Sequence, residues 1–345
     1  MSQKNIFRAL LLISTVVSLF YVPWPIVTAW LKPLPNTIQE QLNQTINYGF
    51  DGVILYVDVA GKPPAFYANG WHNKEQKIAA KPNALFKIAS IDKLYTAVAI
   101  TKLIGQNKVD LNKSLAYYFP ELNGKIEYAD KITVKMLVQH RSGIPNYTNT
   151  PNFWNNPTQN AQQALDLIAG KPANFKPNTA YEYCNTNYLL LSMLIKKAAG
   201  KSKFDYITEV ILNPLALKNT YNSIHDINLD NLMSGYYVGI DNDIKTTNYG
   251  SMVATAEDVG IFLRALNNGS LFTGTESNIY ASIYKYNHTG LIPGYQSIAE
   301  YHKNIDAVVV QFTNTTDFSG YNWNLSEISY NRIIKIIEKN TSNQH

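Results

Sequence analysis

The chain has one cysteine, Cys184, among 345 residues. A lone thiol excludes an intramolecular disulfide and any metal site built from paired cysteines, so the core must hold the fold. Charge is sparse as well: 16% of residues are Asp, Glu, Lys or Arg, and the formal net charge is +5. With no dense basic run and no nucleic-acid motif, nucleic acid is not an expected partner. Internal repeats and low-complexity tracts are missing too.

What is present is apolar and aromatic. Hydrophobic residues make up 46% of the chain, and 24 residues are tyrosine. That suffices for a large core, and tyrosine serves both cores and clefts through its apolar body and polar tip. Between Ala9 and Leu31 there is no charge, and Lys4 and Arg8 precede that stretch. Residues 1–31 therefore read as a signal peptide, with "VTA" at Val27–Ala29 as its cleavage site, or as an uncleaved membrane anchor. Either way the positive charges stay inside, so the rest of the chain is expected in the periplasm or secreted. The membrane is reached only through this segment.

A domain is expected over 37–340. Thr37, with Glu40 three residues on, announces a capped helix. "GVILYVDVAG" and "AFYANGW" read as a strand hairpin. "FKIASIDKLYTAVAI" passes from an extended stretch into a helix near Ser90, with Leu94, Val98, Ala99 and Leu103 as its apolar stripe. Helical patterns with long polar loops fill 110–244. "YKYNHTGL", "GYQSIAEYH" and "DAVVVQFTN" then read as an antiparallel meander, followed by a last amphipathic helix. Strands at both ends and helices between them imply one sheet assembled from 37–109 and 245–340, with a helical insert at 110–244.

Three short stretches carry chemistry. Ser90 and Lys93 lie three apart, on one face of a helix start, where an ammonium or amine can activate a hydroxyl. Tyr183 and Asn185 lie two apart in "YEYCNTN"; a tyrosine beside a cation can act as a base, and an asparagine can bind an amide. His288-Thr289-Gly290 offers polar groups on a strand, with Gly290 admitting close approach and the N–H of Leu291 facing a carbonyl oxygen. Alone, the stretches read more readily as a helix cap, a tyrosine-rich loop and a polar hairpin.

Together, in this order, they resemble the serine β-lactamase-like family of class C β-lactamases, D-alanyl-D-alanine carboxypeptidases and related esterases. "ITVKMLVQHRSGIPNY", "ILNPLALKNTY" and "GSMVATAEDVGIFLRALNNGSLF" extend the resemblance over nearly the whole chain after residue 31. It implies an α/β/α sandwich with an antiparallel sheet built from both chain ends and an inserted all-helical subdomain. Ser90 would be the acylated nucleophile, with Lys93 and Tyr183 sharing the base role. Asn185 would bind the substrate amide and help fix Lys93. His288, with Thr289 and Gly290, would line the substrate site near its carboxylate. Backbone N–H groups of Ser90 and Leu291 would form the oxyanion hole. No cofactor or metal is implied. The expected substrate is a small peptide, ester or β-lactam, first of all a D-alanyl peptide of peptidoglycan. An esterase or amidase, a β-lactamase and a non-catalytic peptidoglycan-binding relative are the alternatives. His288 stands where many relatives have lysine, which lowers the expectation of efficient β-lactam hydrolysis.

Overall fold

The computed structural model describes residues 3–342. They form two compact units, one of 3–50 with 317–342 and one of 51–316.

The larger unit is built on a six-stranded antiparallel sheet. Its strands are β1 (Gly52–Val59), β2 (Ala65–Asn73), β3 (Ile78–Ala79), β4 (His288–Ile292), β5 (Tyr295–His302) and β6 (Ala307–Thr313), in the spatial order β3-β2-β1-β6-β5-β4. The two ends of this unit thus meet at the β1–β6 pair, where Tyr56 faces Val310. β1 and β6 are central and buried, as their apolar runs "VILYV" and "AVVVQF" require. β4 is an edge strand, paired with β5 alone. Helix Ala256–Asn267 packs on β1, β5 and β6; Thr255 caps it by accepting the Asp258 N–H.

Between the two halves of the sheet the regular elements are mainly helices, joined by long loops. The strands within 110–244 are two-residue pieces, Thr220–Tyr221 and Tyr236–Tyr237. Helix Asp92–Gly105 runs through the middle of the core. The sequence suggested one apolar stripe, but Tyr95, Ala97 and Ile100 are buried along with Leu94, Val98, Ala99 and Leu103. Helices Asn185–Ala199 and Glu276–Ile283 both pack against it, so it is covered on several faces. A small sheet of Phe86–Lys87, Val253–Ala254 and Thr220–Tyr221 fixes the extended stretch just before Ser90.

The other unit is helical: Gln3–Leu19, Trp24–Leu31, Ile38–Ile46 and Asn322–Ser342. The Thr37–Glu40 capping box forms in full. Arg332 ties the unit together, donating to the carbonyls of Lys32 and Pro33, both at 2.6 Å, and to Gln41 Oε1 at 2.7 Å. Helix Trp24–Leu31 packs on Asn322–Ser342, and Ala29 is fully buried in a cluster with Phe50 and Leu325. Gln3–Leu19 instead exposes its leucines, valines and isoleucines. Among the described residues no single helix is long and apolar enough to cross a membrane; Gln3–Leu19 and Trp24–Leu31 reach that length together, bent by 79°.

Candidate active site

Ser90 sits in a tight turn, Ala89–Ile91, directly before helix Asp92–Gly105. The turn starts under strain: Ala89 has φ +49°, in the left-handed region that side chains avoid. Its surroundings hold it there. Ser251 Oγ accepts the Ala89 N–H at 2.8 Å, Met252 O accepts the Ile88 N–H, and Ser297 Oγ donates to Ile88 O at 3.1 Å. β4 packs directly against the turn. A Cβ on Gly290 would lie 2.3 Å from Ser297 Oγ and 2.6 Å from Ile88 O. Gly290 was expected to admit a substrate backbone; the groups that crowd it are the Ile88 carbonyl, the Ala89 methyl and the Ser297 hydroxyl.

The turn places Ser90 Oγ between two donors. Tyr183 OH donates to it at 2.7 Å and Lys93 Nζ at 3.1 Å. Lys93, the second residue of helix Asp92–Gly105, is buried, 7% exposed, and donates also to Asn185 Oδ1 at 2.9 Å. Its ammonium lies 4.9 Å from the Tyr183 ring centre and 5.4 Å from that of Tyr188. Among the described residues Lys93 has no carboxylate partner; Asp92, next to it in sequence, is held by Lys203 at 2.8 and 2.6 Å. An ammonium at this spot, bonded to Ser90 Oγ, stabilises negative charge developing on that oxygen.

Asn185 is the first residue of helix Asn185–Ala199, behind Cys184. Its side chain makes two bonds within the protein. Oδ1 accepts from Lys93, and Nδ2 donates to Thr148 Oγ1 at 3.0 Å. Asn146 Oδ1 accepts the Asn185 N–H, so the 146–148 loop is locked to the same point. Asn185 thus bridges Lys93 and Thr148, with one Nδ2 hydrogen and one Oδ1 lone pair left over at the cavity wall. Cys184 is buried, and burial pushes its thiol pKa up, so it stays a neutral thiol beside the site.

A cavity of about 350 Å³ opens over Ser90. Its wall includes Lys93, Tyr183 and Asn185, the rings of Tyr147, Trp154 and Tyr249, and Leu291 from β4. As an edge strand β4 has unpaired backbone groups along one side, and Leu291 of that strand lies on this wall.

His288 departs from its expected part. It is 4% exposed, its Nε2 lies 3.0 Å from Tyr284 Oη, and its Nδ1 meets its own neighbour's carbonyl, Thr289 O. Burial, then Lys285 and Lys93, hold its pKa well below the usual histidine value. The ring is neutral rather than partly charged, and both nitrogens are engaged. Thr289 is half-buried and supplies that carbonyl.

Several residues here carried no signal in the sequence. Ser251 and Ser297, which hold the Ser90 turn, lie far from it along the chain. The His140 ring lies tilted against Tyr183, ring centres 4.5 Å apart, and its Nδ1 accepts the Cys184 N–H. Among the described residues no group of three or more His, Cys, Asp or Glu is placed to hold a metal.

Comparison with known proteins fits this geometry. Protein flp of Staphylococcus aureus (strain MW2) is 29% identical over 208 residues, covering 56% of this chain and 41% of that protein. An N-acetylmuramyl-L-alanine amidase of Bacillus subtilis (strain 168) is 27% identical, covering 54% of this chain and 46% of that protein. The chain thus spans less than half the length of these curated relatives. The D-amino acid amidase of Ochrobactrum anthropi SV3, crystallised with L-phenylalanine amide, superposes with a TM-score of 0.78 at 24% identity, covering 88% of this chain and 98% of that one. That likeness shows the fold, the mixed α/β architecture with an antiparallel sheet. The Beta-lactamase family model matches residues 34–282, which take in Ser90, Lys93, Tyr183 and Asn185 and stop short of His288. With a match over well more than half its length, the chain belongs to the Beta-lactamase family, a family of serine hydrolases.

Proposed function

We propose that this chain hydrolyses D-alanyl peptides of the cell wall through an acyl-enzyme on Ser90. The observation that carries this reading is the pair of hydrogen bonds converging on Ser90 Oγ from Tyr183 and Lys93. In this reading the Lys93–Tyr183 pair reacts with one proton fewer than an ammonium and a phenol hold together, and takes the Ser90 proton as one unit while Ser90 Oγ bonds to the substrate carbonyl carbon. The oxyanion faces the N–H groups of Ser90 and Leu291. The C–N or C–O bond then breaks, and the leaving group receives the proton from Tyr183. Water, activated by the same pair, releases the acyl group and restores Ser90. Asn185 keeps Lys93 in position throughout.

The B. subtilis relative named as a muramyl-alanine amidase supports a cell-wall substrate. The neutral, fully engaged His288 favours a second reading, an amidase or esterase whose substrate has no carboxylate, and the solved D-amino acid amidase fold agrees with that chemistry. In both readings the protein works outside the cytoplasm, held there by residues 1–31. The docking of helix Trp24–Leu31 on Asn322–Ser342 supports an anchor that stays attached.

The test is intact-mass spectrometry after incubation with a penicillin, with Ser90→Ala in parallel. A lasting adduct on the unaltered protein alone supports the peptidase. Absence of an adduct with intact penicillin moves the assignment to the amidase or esterase. An adduct on Ser90→Ala as well would overturn Ser90 as nucleophile.

A further inference from the structure

Lys87 is a buried cation that takes no part in the proton transfers at Ser90. It ends the short strand Phe86–Lys87, three residues before the serine, and is 1% exposed. Among the described residues it forms no ion pair. Asp243 acts on it only through space, and its carboxylate accepts the N–H groups of Gly235 and Lys245 at 3.1 and 2.9 Å. The partners of Lys87 are uncharged. Its Nζ donates to the Thr247 carbonyl at 2.8 Å, and lies 4.8 Å from the ring centre of Tyr295 on β5 and 5.3 Å from that of Tyr249. Burial pushes the pKa of both phenols up, so both rings are neutral where the ammonium meets them. A charge kept out of water by one carbonyl and two ring faces needs those partners held close.

Two of the partners, Thr247 and Tyr249, belong to the segment that runs into the Ser90 site. Tyr249, Gly250 and Ser251 line the Ser90 cavity. The Tyr249 ring meets that of Trp154, centres 5.9 Å apart, and Ser251 Oγ accepts the Ala89 N–H at the start of the Ser90 turn. At its other end the segment is fixed by the Ile244 N–H, which donates to Gly235 O at 2.9 Å. Lys87 reaches the stretch between these anchors, and does so from the strand that leads directly into Ser90.

We propose that Lys87 is a positioning residue for the reaction at Ser90: its ammonium clamps Thr247–Tyr249 to the strand before the serine and so sets the aromatic wall against which an acyl group packs. The inference rests on the acyl-enzyme reading above. The clamp carries its own dependence on pH. Burial lowers the Lys87 pKa to about 7, and Asp243 opposes the shift. Below that value the ammonium holds the carbonyl and both rings. Above it the neutral amine keeps a weaker hydrogen bond and loses its attraction to the ring faces. The other charged groups at this point are Asp243 and Lys245, 3.8 Å apart. His225 meets the same segment at Asn248, 3.3 Å away, so the test must separate its titration from that of Lys87.

The experiment measures kcat/KM for p-nitrophenyl phenylacetate and p-nitrophenyl acetate between pH 6 and 9. Released p-nitrophenol is read at its isosbestic wavelength, with Ser90→Ala as background. The phenylacetyl group is large enough to report on the aromatic wall, and the acetyl group is not. The ratio of the two values cancels the ionisation of Lys93 and Tyr183, which both esters share, and any partial loss of folded protein. In the unaltered enzyme the ratio of phenylacetate to acetate should fall by about threefold to tenfold as pH rises through about 7, the scale of one aromatic contact. Lys87→Met should hold the ratio at its low value throughout, and Lys87→Arg, charged at every pH used, near its high value. A fall that persists unchanged in either variant overturns the clamp and assigns the titration to another group. Ser90-dependent release with a ratio that ignores pH in the unaltered enzyme sinks the clamp alone. No Ser90-dependent release sinks the acyl-enzyme reading and the clamp with it.

Discussion

At Ser90 the chemistry depends on placement to a few tenths of an ångström. Two residues show this. Lys93 supplies the only cation bonded to Ser90 Oγ among the described residues, so Lys93→Ala should lower acylation by about 10²–10⁴-fold. Stopped-flow or mass-resolved acylation reads this directly, and near-normal acylation would remove Lys93 from the mechanism. Gly290 does not touch Ser90, yet an added methyl there must push Ser297 or the Ile88 carbonyl. Gly290→Ala should therefore shift the Ser90 turn and cost about 100-fold in kcat/KM, since an ångström of misplacement can cost that much. Its far-ultraviolet dichroism should stay native; unchanged turnover would show that the turn tolerates the shift. Ser90 and Lys93 were legible in the sequence because their spacing is local and helical geometry does the rest. The true duty of Gly290 was not, because it depends on a strand meeting a turn from the other end of the chain.

At the scale of elements, most boundaries followed from signals with a local cause. Thr37, Thr133, Ser202 and Thr255 cap their helices with side-chain oxygens, and Gly200 ends helix Asn185–Ala199 in the left-handed conformation. The stretch 204–215 reads as one helix but is built as a short helix, Lys203–Ile207, followed by a π-turn, Thr208–Leu212. Pro214, without an N–H, cannot close an ordinary α-helical turn there. The N-terminal helices make a sharper point. A cut after Ala29 would fall inside a helix packed on Asn322–Ser342. Arg332, 7% exposed, secures the carbonyls just beyond it. Arg332→Ala should lower stability by about 1.5–3 kcal/mol, the scale of hydrogen bonds to a charged group. Limited proteolysis should then open the Lys32–Pro33 segment first. Resistance equal to that of the unaltered protein would show that these bonds do not secure the segment. Edman sequencing of protein from the cell envelope checks the anchor: a chain starting before Trp24 agrees with it, and one starting at Trp30 refutes it.

Over the whole molecule, buried neutral histidines set the acid limit of stability. Burial lowers the pKa of His72, His140 and His288, that of His140 to about 3. Unfolded, each titrates near 6.5. Below that value the unfolded chain binds protons that the folded chain refuses, so stability falls as pH falls. For His140 the loss runs from about 6.5 down to about 3. Each such group adds up to about 1.4 kcal/mol per pH unit to the slope. Urea midpoints at pH 7.5, 6.5 and 5.5 should be similar for the first two and clearly lower at 5.5, above the range where ordinary carboxylates titrate. A flat profile would mean that these rings are protonated in the native state.

The same division by distance along the chain separates what could be read from residues alone from what could not. Helix caps, the hairpin, the apolar meander and the Ser90–Lys93 spacing depend on neighbours within a few positions, where backbone geometry fixes the outcome. The order of the three motifs then pointed to the family. Which way His288 turns, what Asn185 has left to offer, why Ala89 tolerates its strain, and how Lys87 comes to meet Thr247 were settled only by packing. Each depends on side chains brought together from distant segments, and on burial that decides whether a ring or an ammonium keeps its charge.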